Sequence, residues 1–468
     1  MASSLGRRGE HSRNVWMRPS QPVFIILMLG MVVVSDIGLL TEADGALYAL
    51  LLSVLIPTLA PYLLIALCSF QGMAGLSVFW WYGGTTLLGS LLIYRILIGR
   101  MMRFKIEPLL FSAMLVVLYV AVASLLQGHL DGYPQSASRP PILVAILMMM
   151  MMGSGFSAYC QMESDPLAGQ RLKWLTYVLI INGLSIAVLK ILFGQNFLAS
   201  EGGQAEIGVA SQLVEPSAIG IPRAIGTYLT PNGFALCYSL LMLLPLLVHR
   251  ERINGYYVIA FSFVTGLISL LTLSKAILIF SLLSIAILMI QTRYLKRSFM
   301  LAIAFMLALV FLFSNLLDWE SLLIAFRVPV GGAADFSDSY RGEAWQAVLN
   351  NFEFPDWLFG TGLSHWKIFF QQELGFSLSD PHNWLLSIPG TYGLMGVIFY
   401  IYIGVLLICI AWKQKGGQRA LALILLVLIF VKDLASIPYL IGNTPITLLI
   451  WLLIAGTLRG WNANMGSA

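Results

Sequence analysis

Charge is what this sequence has least of. Of 468 residues, 10% are charged and 59% are hydrophobic, whereas a soluble domain carries about 25% charged residues. That balance excludes an ordinary water-soluble enzyme. The net charge of +5 comes from cations dispersed over short connections, not from a basic stripe, which excludes a nucleic-acid partner. Cysteine is scarce too: Cys68, Cys160, Cys237 and Cys409 fall in or beside apolar runs, with no CxxC pairing. They read as core thiols rather than disulfides or metal ligands. Histidine occurs five times, and HExxH, DxD and GxSxG are missing. Metal chemistry and a nucleophilic triad therefore have no support, and no cofactor is called for. The basic start "MASSLGRRGEHSRNVWMR" precedes an apolar segment too long for a signal peptide, so no cleaved leader is expected.

What is present is a series of apolar runs of about 20 residues, the length that crosses a bilayer. Their backbone must be satisfied within each segment, which makes them helices; the short alternating strands of an outer-membrane barrel are not evident. The runs predict helices near 21–40, 46–68, 74–98, 108–127, 141–160, 174–194, 228–248, 256–273, 276–291, 298–316, 390–412, 420–437 and 444–458. The basic connections "HRERING", "TRYLKR" and "KQKGGQR" face the cytoplasm by the positive-inside rule. Alternation then puts the 195–227 loop, the Ser274–Lys275 turn, the long 317–389 loop and the 437–443 turn on the outer face. The count does not close, because it leaves the basic N-terminus outside. One helix within 21–98 is therefore miscalled or re-entrant, and about twelve spans are expected. The fold class is an all-α integral membrane protein, a polytopic bundle with one large, partly helical periplasmic loop. Its parts are N-terminal transmembrane helices over 1–316, the loop over 317–389, and C-terminal transmembrane helices over 390–468.

In that loop, "SYRGEAWQAVLNNF" sets Trp345, Val348, Leu349 and Phe352 at amphipathic-helix spacing. Trp319, Trp345, Trp357, Trp366 and Trp384 read either as an interfacial aromatic belt or as a folded cap whose rings stack on sugars. Cations are depleted on the outer side, so those found there carry information. Arg223 sits at the mouth of a helix, Lys275 in a two-residue turn, Arg341 on the amphipathic stretch, and Lys190 near a helix end. Together they suit a diphosphate-bearing lipid; singly, each could snorkel to headgroups. Asp36, Lys432 and Asp433 read as interfacial, with a buried Lys432–Asp433 pair as the alternative.

The loop closes on "SLSDPHNWLLSIPGTYGLMG". Asp380 reads as the cap of the turn containing His382, with Pro381 at the first helical position. That leaves the imidazole unexplained, and a group titrating near neutrality suits deprotonating an alcohol.

His382–Asn383, nine residues, Gly393, two residues and Gly396 resemble the signature of bacterial O-antigen ligases. "RAIGTYLTPNGFA", "LTLSK" and "YRGEAWQAVLNNFEFPDWLFGTGLSHW" are similar to the wider O-antigen ligase and O-antigen polymerase superfamily, over roughly residues 220–412. The resemblance implies a GT-C-like, metal-independent, inverting glycosyltransferase of the bacterial inner membrane with its site facing the periplasm. The donor would be a glycan on undecaprenyl pyrophosphate. The acceptor would be lipid A–core in a ligase, or a second lipid-linked glycan in a polymerase of O-antigen or exopolysaccharide. Carried over, His382 is the general base, and Arg223, Lys275 and Arg341 hold the pyrophosphate. Asp380, Asn383, Gly393 and Gly396 support them, the glycines by close packing. Lys275 stands where relatives favour arginine, so the bidentate fork is lost there. A transporter of a lipid-linked substrate is the reading from another class; it would need charged sites in both halves of the bundle.

Overall fold

The structure, a computed structural model, describes residues 19–98, 108–130, 141–199, 224–247, 253–272, 274–291, 340–362, 365–375, 380–435 and 438–465. Regular structure among them is helical; the only bridges, Met73 to Leu76 and Met73 to Ala199, are isolated. The helices are α1 (Gln21–Asp36), α2 (Asp44–Leu55), α3 (Ala60–Leu67), α4 (Val78–Ile98), α5 (Pro108–Leu130), α6 (Pro141–Glu163), α7 (Ala168–Phe193) and α8 (Pro231–Leu241). They continue with α9 (Gly255–Thr272), α10 (Lys275–Gln291), α11 (Tyr340–Asn351), α12 (Phe354–Phe359), α13 (His365–Leu374), α14 (Trp384–Lys413), α15 (Gly416–Leu426) and α16 (Pro445–Met465). Among the described residues, Ile142–Glu163, Ala168–Phe193, Gly255–Thr272 and Trp384–Lys413 are long and apolar enough to cross a membrane; the other apolar helices are shorter. The run expected at 298–316 and the first part of the large loop, 317–339, lie outside the described residues.

Within 21–98 the structure departs from the sequence reading at one place. The single helix predicted over 46–68 is two, α2 and α3, meeting at Ile56, whose φ of −129° and ψ of 80° are not helical, just before Pro57. The start of α2 lies at the start of α4, where Gly45 N–H donates to the Gly75 carbonyl at 3.0 Å. Its end lies at the far end of α4, where Arg95 donates to the carbonyls of Ser53 (2.6 Å) and Pro57 (3.3 Å). The chain then returns, since Trp81 Nε1 on the first turn of α4 donates to the Leu67 carbonyl at 2.9 Å. So α2 runs parallel to α4 and α3 runs antiparallel to it. A proline that cannot donate, beside carbonyls capped by a guanidinium, is what lets the chain reverse among helices.

Helices α6 and α16 pack closely along each other. Gly155 lies against the backbone of Leu448 with no room for a Cβ, the close approach that small residues permit in apolar bundles. At one end of the bundle, Arg171 is fully buried yet paired. It contacts Asp165 at 2.9 Å and the Pro19 carbonyl at 2.8 Å, and its guanidinium lies over the rings of Phe24 and Tyr62. Tyr62 also donates to Asp165, at 2.7 Å. A buried cation is tolerated only with such partners.

Several sequence expectations are corrected. The helix expected over 228–248 stops at Leu241 and goes on as a short 3-10 turn, Leu244–Leu247, around Pro245. The one expected over 420–437 ends at Leu426, followed by a π turn (Val427–Val431) and a 3-10 turn (Lys432–Ala435). Asp36 and Lys190 do lie at the ends of their helices, but inside the protein rather than exposed: they are 5% and 1% exposed, and Lys190 Nζ lies 3.7 Å from Met73 Sδ. Lys432 and Asp433 form a buried ion pair, the alternative reading of that stretch. Of the thiols, Cys68, Cys160 and Cys237 are buried, and Cys409 is exposed on α14.

The part of the large loop that is described folds into a cap. In α11, Ala344, Ala347 and Val348 face inward while Leu349, expected on the apolar face, is 62% exposed. Trp366, Phe369 and Phe370 of α13 complete a small core with Phe352 and Trp357. Trp366 lies between Phe352 and Phe370, parallel to both. These rings are engaged with one another, which answers the belt-or-sugar question differently for them: they hold the cap together.

Candidate functional site

The cap meets the bundle at α14. Pro389 lies inside this helix, and Gly393 takes φ 59° and ψ −157°, a conformation open essentially to glycine. The break frees two carbonyls, and the cap satisfies both. Thr361 donates to Gly390 through its amide (2.7 Å) and hydroxyl (2.8 Å), and Gly362 N–H donates to Thr391 at 3.2 Å. A Cβ on Gly393 would meet the Leu358 oxygen at 2.5 Å and the Gly360 nitrogen at 2.7 Å. Gly393 therefore both breaks the helix and admits the backbone of the cap. Gly396 is crowded by Tyr392 and Ile388 of its own helix, not by a neighbouring one.

Two residues before α14 lies His382. Its φ of 58° is left-handed, which costs a non-glycine residue about 1–2 kcal/mol. The conformation is held from several directions. Asp380 Oδ1 accepts from the His382 amide at 2.6 Å and from Ser387 Oγ at 2.8 Å. Trp345 Nε1, on α11, donates to the Pro381 carbonyl at 2.7 Å. Trp384 Nε1 donates to the Phe430 carbonyl at 3.0 Å, in the π turn, and its ring stacks on Tyr400. Asn383 caps α14 by accepting from Leu385 N–H at 3.0 Å. Asp380 thus caps the His382 turn as expected. The helix, however, begins after Asn383, and Pro381 is not its first residue. Asp380 is 8% exposed. Burial raises its pKa to about 7, against the hydrogen bonds from Ser387 and His382 and the nearby Lys432 cation.

Of the cations, Arg223 lies outside the described residues, and the side chains of Lys275 and Arg341 do too. Their chain positions are nonetheless informative. Ala224 N–H, next to Arg223, donates to the Leu271 carbonyl at 2.8 Å, one turn before Lys275, the first residue of α10. Arg341 lies one turn before Trp345, the residue tied to Pro381. The two neighbourhoods are joined by the 427–435 segment, which packs against α10 and supplies both the Phe430 carbonyl and Lys432. Composition alone could not single out Trp345, Trp384 or the π turn. The charged "VKD" inside an apolar run was the one signal for the last. Among the described residues, no three His, Cys, Asp or Glu side chains gather as metal ligands.

Residues 260–401 match the family described as O-antigen ligase. Over this stretch the chain is similar to the O-antigen ligase superfamily. The match covers slightly under a third of the sequence. It takes in α9, α10, the cap and the first half of α14, and so includes Lys275, Arg341 and His382 but not Arg223. No curated protein matches the chain. The match and the apolar helices together support a membrane protein of the O-antigen ligase type, a family whose substrates are lipid-linked glycans.

Proposed function

We propose that the chain is an O-antigen ligase, moving a glycan from undecaprenyl pyrophosphate to a sugar hydroxyl of lipid A–core at the periplasmic face of the inner membrane. The observation that carries this is His382, held left-handed at a junction where cap and bundle exchange hydrogen bonds, inside the segment matching the family. In the proposed step His382 takes the proton of the acceptor hydroxyl as its oxygen attacks the anomeric carbon. The bond from that carbon to the diphosphate breaks, configuration inverts, and the undecaprenyl pyrophosphate leaves. Arg223, Lys275 and Arg341 neutralise the charge that gathers on it. No metal takes part. The 1–316 and 390–468 helices form the lipid-embedded frame, and 317–389 is the periplasmic part that brings the acceptor to the donor.

The test is transfer by the purified protein in lipid nanodiscs, with undecaprenyl-pyrophosphate-linked O-antigen repeats as donor and lipid A–core as acceptor. His382→Ala should lose about 100-fold or more in rate, the span of general-base catalysis; undiminished transfer removes the histidine from the mechanism. Ladder-like growth from donor alone would make the protein a polymerase instead. A transporter has one observation in its favour, buried charges in both halves: Asp36 and Lys190 in one, Lys432 and Asp433 in the other. Movement of labelled donor between leaflets without transfer would establish it.

A further inference from the structure

Resting on the reading of His382 as the base, we infer that Asp380 and Trp345 are positioning residues that hold the His382 backbone left-handed, one from the bundle side and one from the cap. Neither need touch substrate. A histidine at φ 58° falls back to an extended or right-handed backbone unless its neighbours over-determine it. Such a flip swings the Cα–Cβ bond and moves the imidazole by ångströms, while proton transfer needs the base within hydrogen-bond reach of the hydroxyl.

The hydrogen bonds are placed for this work. A single oxygen, Asp380 Oδ1, accepts from His382 N–H at 2.6 Å and from Ser387 Oγ at 2.8 Å. It therefore fixes the turn to the first turn of α14. On the other side of the same peptide, Trp345 Nε1 reaches the Pro381 carbonyl at 2.7 Å, so the Pro381–His382 peptide plane is gripped at its oxygen and at its nitrogen. A peptide plane held at both ends cannot flip. Because Trp345 belongs to α11, the grip forms only when the cap is seated. Asp380 is faced by His382 and Ser387 from its own stretch, by Lys432 and Asp433 from the 3-10 turn, and by Tyr392, Tyr400 and Tyr439.

The experiment separates kcat from KM in the nanodisc assay, with the same donor and lipid A–core. Asp380→Leu removes the acceptor and should lower kcat about 10- to 100-fold, the cost of leaving the His382 amide and the Ser387 hydroxyl without it. Donor and acceptor KM should stay within about threefold, since neither substrate is touched. Asp380→Asn keeps an oxygen at Oδ1 and should restore kcat to within about threefold of the native protein. Trp345→Phe keeps an aromatic ring but loses the pyrrole half of the indole with its N–H; its kcat should fall about 5-fold. The inference is overturned if folded Asp380→Leu keeps kcat within about threefold, if Asp380→Asn falls as far as Asp380→Leu, or if the loss lies in KM alone. Should Asp380→Leu fail to fold, Trp345→Phe decides, and native kcat in that variant overturns the grip. An inactive His382→Ala beside an active Asp380→Leu rejects the positioning alone. An active His382→Ala rejects the base itself.

Discussion

Replacing Gly393 by alanine tests the whole connection between cap and bundle. Two costs arise from the structure. The φ of 59° and ψ of −157° lie in a region a residue with a Cβ reaches at about 1–3 kcal/mol. The new methyl would also meet the Leu358 oxygen and Phe359 carbonyl carbon at 2.5 Å and the Gly360 nitrogen at 2.7 Å. These are backbone atoms, unable to turn aside as a side chain would, and overpacking of this kind costs about 1–3 kcal/mol more. The sum, about 2–6 kcal/mol, is a large share of a typical stability. Relief requires the 358–362 segment to withdraw, which gives up the bonds from Thr361 and Gly362 to Gly390 and Thr391. Gly393→Ala should thus melt several degrees lower in detergent and expose the cap to protease, with cuts in 352–375 appearing before cuts in α14. Gly83→Ala is the control: its Cβ would meet nothing within 4 Å on α4, so it should be neutral or stabilising by about 0.5–1 kcal/mol. A Gly393→Ala protein melting within about 1 °C of the native one, its cap still resistant, would refute the reasoning.

Two further outcomes follow from the same neighbourhood. Lys432→Met strands a buried carboxylate on Asp433 and should cost about 3–5 kcal/mol in thermal unfolding, whereas Lys432→Met with Asp433→Leu should recover most of it; equal losses in the two proteins would contradict a buried pair. Asp380 carries a pH signature. Its carboxyl is raised from 3.8 to about 7, so the unfolded chain ionises first as pH rises. Below pH 4 both states are protonated and the group has no effect; between about 4 and 7 the folded state loses about 1.4 kcal/mol per unit relative to the unfolded one, and above 7 the loss is constant. The melting temperature of native protein should therefore fall relative to Asp380→Asn across that window, and a pH-independent gap between them would disprove the buried, raised carboxyl.

The linear sequence determined the class of fold, because charge scarcity and apolar runs of bilayer length leave the backbone no choice but helix. It also determined the candidate histidine, since His382–Asn383 and the two glycines stand at fixed spacing on one chain. It misjudged what depends on contacts remote in sequence. The reversal at Ile56 rests on Arg95, 38 residues from Pro57. The end of α8 and the π turn depend on local backbone choices that an apolar run does not reveal. Burial of Asp36 and Lys190 required α1 and α7 to meet. The aromatic residues of the cap could be read as a belt or a cap until α11 closed on Trp366 of α13. Above all, the left-handed backbone of His382 is invisible in its identity. A strained φ persists only where surroundings compel it, and here they come from Asp380 two residues away, Trp345 on the cap, and Phe430 across the bundle. Tertiary structure alone turned a histidine at a helix mouth into one whose direction is fixed.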